Sequence, residues 1–156
     1  MTSEAYCAQR IKLIEGEVFL SIGDEELDRF LNPHYLTDKK LGTTMGLPDL
    51  LSTRKINDRL SFRLREVKFK LEHRLVIKAL KQLNAGIRQL NLLFESPEID
   101  RVEIVVPLKG RNLKKEELGF LGDPISPVRF SLNWNHGLKP FEKDFSFYPV
   151  TILMVS

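Results

Sequence analysis

Apolar residues recur at steps of three and four across residues 72–95: Val76, Ala79, Leu80, Leu83, Ile87, Leu90 and Phe94. That spacing puts them on a single helical stripe, which ends before Ser96-Pro97. On either side of the helix the period falls to two. Leu60, Phe62 and Leu64 alternate with Ser61, Arg63 and Arg65 before it. Val102, Ile104 and Val106 alternate with Arg101, Glu103 and Val105 after it. Both flanks therefore predict strands, and a strand, a long helix and a second strand predict a crossover to a parallel neighbour. Another strand is expected to start near Pro48-Asp49, joined to the 60–68 strand through residues 54–59.

The 60–71 segment has an irregular pattern. Leu60, Phe62 and Leu64 share a face with Glu66 and Lys68, whereas Ser61, Arg63 and Arg65 share one with Val67, Phe69 and Leu71. Apolar positions thus change face near Arg65-Glu66. A β-bulge would cause this, and so would a strand covered on one side in its first half and on the other in its second.

The remaining segments carry weaker patterns. Residues 10–22 hold two apolar runs about Glu15-Gly16, which predict a hairpin with a continuous helix as its competitor. Asp24 reads as an N-cap, with Glu25 and Glu26 in the first turn of a helix that Asn32-Pro33 interrupts. Residues 109–121 predict a basic loop and a short helix around 114–118, closed by Gly122-Asp123-Pro124. Strands are expected over 128–135 and 145–155. Together these elements predict one α+β domain spanning residues 1–156, a mixed β-sheet flanked by helices, with its core at about 24–108 and a C-terminal strand extension at 109–156.

Composition narrows the class. The hydrophobic fraction of 42% and charged fraction of 29% are ordinary for a globular protein. No apolar run reaches the length of a membrane span, and the first residues lack the basic-then-apolar layout of a signal peptide, so a soluble cytoplasmic protein is expected. Cys7 is the single cysteine, and three scattered histidines do not suggest a zinc site. Charge is unevenly distributed: residues 1–52 carry a net −4, residues 53–115 a net +9 and residues 116–156 a net −2. A localised basic segment attracts phosphate backbones whatever their sequence, although Lys and Arg also simply decorate solvated faces. Trp134, Phe145, Phe147 and Tyr148 can stack on bases or pack a core. No Gly-X-Ser-X-Gly turn and no phosphate-cradling glycine pattern is present.

The candidate chemistry lies in residues 46–70. Glu66 and Lys68 are two apart on a strand and point the same way, while Val67 points oppositely. A hairpin would bring Asp49 within reach of Glu66. Two carboxylates on neighbouring strands repel unless positive charge separates them, and such hard oxygen donors suit Mg²⁺ or Mn²⁺. Lys68 would then stand beside the metal. The alternative reading is a surface ion pair worth under about 1 kcal/mol.

At Pro48-Asp49 and Glu66-Val67-Lys68 the chain resembles the PD-(D/E)XK nuclease superfamily, with its restriction-endonuclease-like core. The resemblance covers about half the chain. It implies a core order of helix, strand, Pro-Asp strand, E-X-K strand, helix and strand, and a divalent-metal-dependent endonuclease that hydrolyses phosphodiester bonds. Asp49 and Glu66 would be metal ligands, the Val67 carbonyl and Glu26 further ligands, and Lys68 the catalytic lysine. Gln82 would be presented toward the site from the following helix. The substrate would be nucleic acid, DNA in preference to RNA, with a homodimer or a partner protein compatible with the family. One departure stands out: residues 41–46 leave little room for the first core strand, so that strand is either very short or supplied by residues 10–22. Two competing readings are a non-catalytic nucleic-acid- or protein-binding accessory subunit of the same fold, and a protein-interaction domain without nucleic acid.

Overall fold

A computed structural model describes residues 3–22, 50–108, 119–133 and 148–156. Its described elements are two helices, α1 (Ser3–Gln9) and α2 (His73–Leu93). They accompany seven strands: β1 (Val18–Ile22), β2 (Leu50–Ile56), β3 (Arg59–Val67), β4 (Glu98–Pro107), β5 (Leu121–Ser126), β6 (Arg129–Leu132) and β7 (Val150–Val155). The strands form one mixed sheet in the order β1-β2-β3-β4-β7-β6-β5. Its central strands β3, β4 and β7 run parallel, and the outer pairings are antiparallel. The architecture is α+β. No described helix is long and apolar enough to cross a membrane.

The expected apolar stripe builds the larger core. Val76, Ala79, Leu80, Leu83, Ile87 and Leu90 are buried against Phe62, Leu64, Val102, Ile104 and Ile152, with Phe94 half-buried at the edge. α2 supplies the crossover from β3 to its parallel neighbour β4, as the change of period predicts.

The other face of the sheet departs from expectation. Residues 10–22 form no hairpin; β1 pairs antiparallel with β2 instead. Ahead of it, α1 packs on β3 and β4, so Cys7 and Ala8 lie buried among Leu50, Val67, Val105, Leu153 and Val155. The face change in β3 follows directly. Phe62 and Leu64 belong to the core beneath α2, and Val67 to the core beneath α1. The sheet is covered on both sides, and no bulge occurs at Arg65-Glu66. The register slips earlier, between Phe62 and Arg63, where Asp100 of β4 is left without a partner in the ladder.

The connection of β2 to β3 is tighter than residues 54–59. Arg54, Lys55 and Ile56 pair with Ser61, Leu60 and Arg59, leaving a two-residue turn in which Asn57 and Asp58 have φ of 49° and 66°. Left-handed backbone at both positions matches the twist of a hairpin but strains a residue with a Cβ. Asp58→Gly should therefore raise stability by about 0.5–1 kcal/mol, read from urea unfolding at neutral pH. The ion pair it removes, Lys55 to Asp58, is almost fully solvated and worth little.

Gly122-Asp123-Pro124 also differs: it lies inside β5, not in a closing loop. β5 is the outermost strand, where proline is tolerated because an edge need not donate every backbone hydrogen bond. Asp24–Leu31 and residues 114–118, with Trp134, Phe145 and Phe147, lie outside the described residues. Tyr148 packs against the α2-side core.

Candidate functional site

Glu66 and Lys68 emerge at the C-terminal end of β3, on the α2 side of the sheet. Period two places them beyond Phe62 and Leu64, and Ile104 of β4 stands beside Glu66. Both are buried, at 1% and 7% exposure. Lys68 Nζ lies 3.4 Å from Glu66 Oε1 and donates a 2.9 Å hydrogen bond to Gln82 Oε1 of α2. The Lys68 backbone N–H donates to the Val105 carbonyl, fixing the chain just past the strand end. An acid, a base and an amide from two elements thus converge on one buried spot, including the glutamine that the sequence singled out on the helix. An exposed ion pair does not describe this arrangement.

The other sequence-derived positions have different outcomes. The Val67 side chain is wholly buried on the opposite face, so only its backbone could serve a metal. Asp49 and Glu26 lie outside the described residues. Leu50, next to Asp49 in sequence, pairs with Arg65, next to Glu66. Among the described residues, no group of three or more His, Cys, Asp or Glu side chains is arranged to hold a metal ion.

Beneath α1 the sheet carries a second polar cluster. Arg65 donates from Nη1 to Glu17 Oε2 at 2.9 Å and from Nε to Glu103 Oε1 at 3.1 Å. Glu103 also accepts from Arg129 Nε at 2.8 Å, and Arg63 donates from Nε to Asp100 at 3.0 Å. Ser52 Oγ donates to Glu17. Arg65, Glu17 and Glu103 side chains are no more than 1% exposed. Two arginines of the basic 53–115 segment, Arg63 and Arg65, are therefore spent inside the molecule, facing away from Glu66. This network was missing from the sequence reading, although one signal pointed to it. Arg63/Arg65 and Arg101/Glu103 sit at period two on the same face of two strands expected to be neighbours.

Burial pushes the Glu17 carboxyl up, but hydrogen bonds from Ser52 and Arg65, the Arg65 charge and the Ile14 N–H outweigh it and hold the group below its ordinary 4.5. A depressed carboxylate stabilises the fold above its unfolded value, and that stabilisation is lost as pH falls through the folded value. Ser52→Ala should cost about 1 kcal/mol at pH 7. The gap between variant and wild type should narrow by pH 3, as urea unfolding at both pH values would show.

Compared with known proteins, the chain matches no family model, no curated protein and no solved structure.

Proposed function

We propose that this protein is a divalent-metal-dependent nuclease of the PD-(D/E)XK type, working on the α2 side of the sheet. The observation that carries the reading is the buried Glu66–Lys68 pair at a strand end, with Lys68 steadied by Gln82. The order of the described elements is compatible with it: β1, β2, β3, α2 and β4 run strand, strand, strand, helix, strand, while the helix expected from Asp24 lies outside the described residues. On this reading β1, which pairs antiparallel with β2, would supply the first strand out of order.

The donor chemistry fits a hard cation. The Glu66 carboxylate and Val67 carbonyl are oxygen donors of the kind Mg²⁺ and Mn²⁺ prefer, and Asp49, with Glu26 as a further acid, would complete the set. When bound, such a cation polarises a phosphoryl oxygen and lowers the pKa of bound water. The chain's own residues divide the remaining work. Lys68 places a positive charge against the scissile phosphate in a water-poor site, where it counts for more than in solvent. Gln82 orients that ammonium. DNA is the favoured substrate.

The accessory-subunit reading has one observation in its favour: Glu66 and Lys68 already neutralise one another, as a structural pair would. Purified protein should be incubated with labelled DNA and RNA in Mg²⁺, in Mn²⁺ and in chelator. Cutting with metal and none with chelator is the expected result. Salt-sensitive binding without cutting, indifferent to metal, would favour the accessory subunit.

A further inference from the structure

On the α1 side, away from Glu66, a cavity of about 680 Å³ opens between residues 10–14 and the faces of β4, β6 and β7. Its polar lining is Arg10, Lys12, Arg65, Arg101, Glu103, Arg129 and Ser156. The roles of these groups are unequal. Arg65 and Arg129 are held by Glu103, and Arg10 donates to the Tyr6 hydroxyl while lying 4.6 Å from its ring. Arg101 is half-buried, with Glu103 as its main attractive charge and Arg129, Arg63 and Arg65 as repelling neighbours.

We infer that this cavity binds a phosphate monoester of nucleotide size, with Arg101 and Lys12 as its principal anion contacts and Arg129 as a fixed donor beside them. Three features lead to that ligand. Arg10, Lys12, Arg65, Arg101 and Arg129 line the cavity against Glu103, an excess of positive charge that a phosphate dianion offsets in part. Guanidinium forks suit the several oxygens of a phosphate, and the buried Glu17–Arg65–Glu103 network holds the surrounding charges in place before any ligand arrives. The volume exceeds what phosphate alone would fill, and Ile11, Val128 and Leu153 offer an apolar wall for a nucleoside.

The electrostatics agree. Burial, then the guanidiniums of Arg129, Arg63 and Arg65, draw Arg101 below its ordinary value against the opposing pull of Glu103. A bound anion would relieve that accumulation of positive charge.

Calorimetric titration of the full chain with adenosine monophosphate, at low salt and without divalent metal, tests this site. Saturable binding is expected. Arg101→Gln should weaken it about tenfold or more, and Lys12→Ala, a solvated position unable to disturb the fold, about threefold. Leu92→Ala, at an exposed position of α2 on the other side of the sheet, should leave binding unchanged, and the titration without divalent metal keeps the outcome separate from that of the nuclease proposal. The inference is overturned if adenosine monophosphate does not bind at millimolar concentration. It is overturned equally if both Arg101→Gln and Lys12→Ala bind like wild type, or if adenosine or succinate binds as tightly as the monophosphate.

Discussion

Replacing Arg65 with Met is expected to destabilise the fold by about 3–5 kcal/mol, the largest loss of any single substitution considered. Methionine can fill the volume of the arginine stem, so packing is not the main cost. The cost is electrostatic. Glu17 and Glu103 are both buried, and each loses a guanidinium hydrogen bond of about 3 Å. Glu103 keeps Arg129, and Glu17 keeps Ser52 and a longer contact to Arg63, so neither is fully abandoned. For a chain of this size the loss corresponds to a drop in Tm of roughly 10 °C. Neutralising the two acids in the same protein, Glu17→Gln with Glu103→Gln, should recover about half of the loss. A buried network costs little to replace whole and much to break at one end. Thermal unfolding of the single and triple variants checks both statements. Equal melting of Arg65→Met and wild type would mean that the network contributes nothing.

The second large effect follows from the proposed nuclease activity. Lys68→Met should slow metal-dependent cleavage by about 10²–10³-fold, the usual loss on removing one preorganised charge from a reacting phosphate or oxyanion. Met retains most of the apolar stem, so circular dichroism at working temperature should still report a folded chain. The readout is the single-turnover rate with substrate saturating. A change in substrate affinity with an unchanged rate would instead assign Lys68 to binding alone.

The sequence made some of this geometry readable because it rests on local periodicity. The α2 stripe and the strands on either side follow from steps of three, four and two, and the period of two also set Glu66 and Lys68 on one side of β3. Gln82 could be singled out because it flanks the stripe that faces the sheet. The charged network was hidden for a different reason: Arg65 meets Glu17 across 48 residues of sequence, and no local pattern encodes such a contact. α1 escaped notice because seven residues are too few to display a helical stripe. Its burial of Cys7 depends on a sheet assembled from residues 50–155. β5 was misread for a comparable reason. Gly-Asp-Pro signals a turn from its own chemistry, and only its place at the sheet edge makes it a strand.

The charge distribution offers a similar lesson. A net +9 over residues 53–115 suggests a nucleic-acid surface, yet Arg63 and Arg65 of that segment are buried beneath α1. Lys55, Arg59, Lys70, Arg74, Lys78, Lys81 and Arg88 of the same segment are exposed, Arg59 and Arg74 in ion pairs with Glu98 and Glu72. Segment charge therefore overstates the field available on any one face.

The most direct test of the proposed centre is the cleavage rate of one labelled DNA strand in Mg²⁺ by wild type and by Glu66→Gln, each repeated in chelator. Glutamine keeps the shape of glutamate but removes its charge. Cutting by wild type in Mg²⁺ alone, lost in a folded Glu66→Gln protein, is the result expected of a metal-dependent site at this strand end. Equal cutting by the two proteins, or none by wild type with any divalent ion, would contradict it and leave Glu66–Lys68 as a structural ion pair.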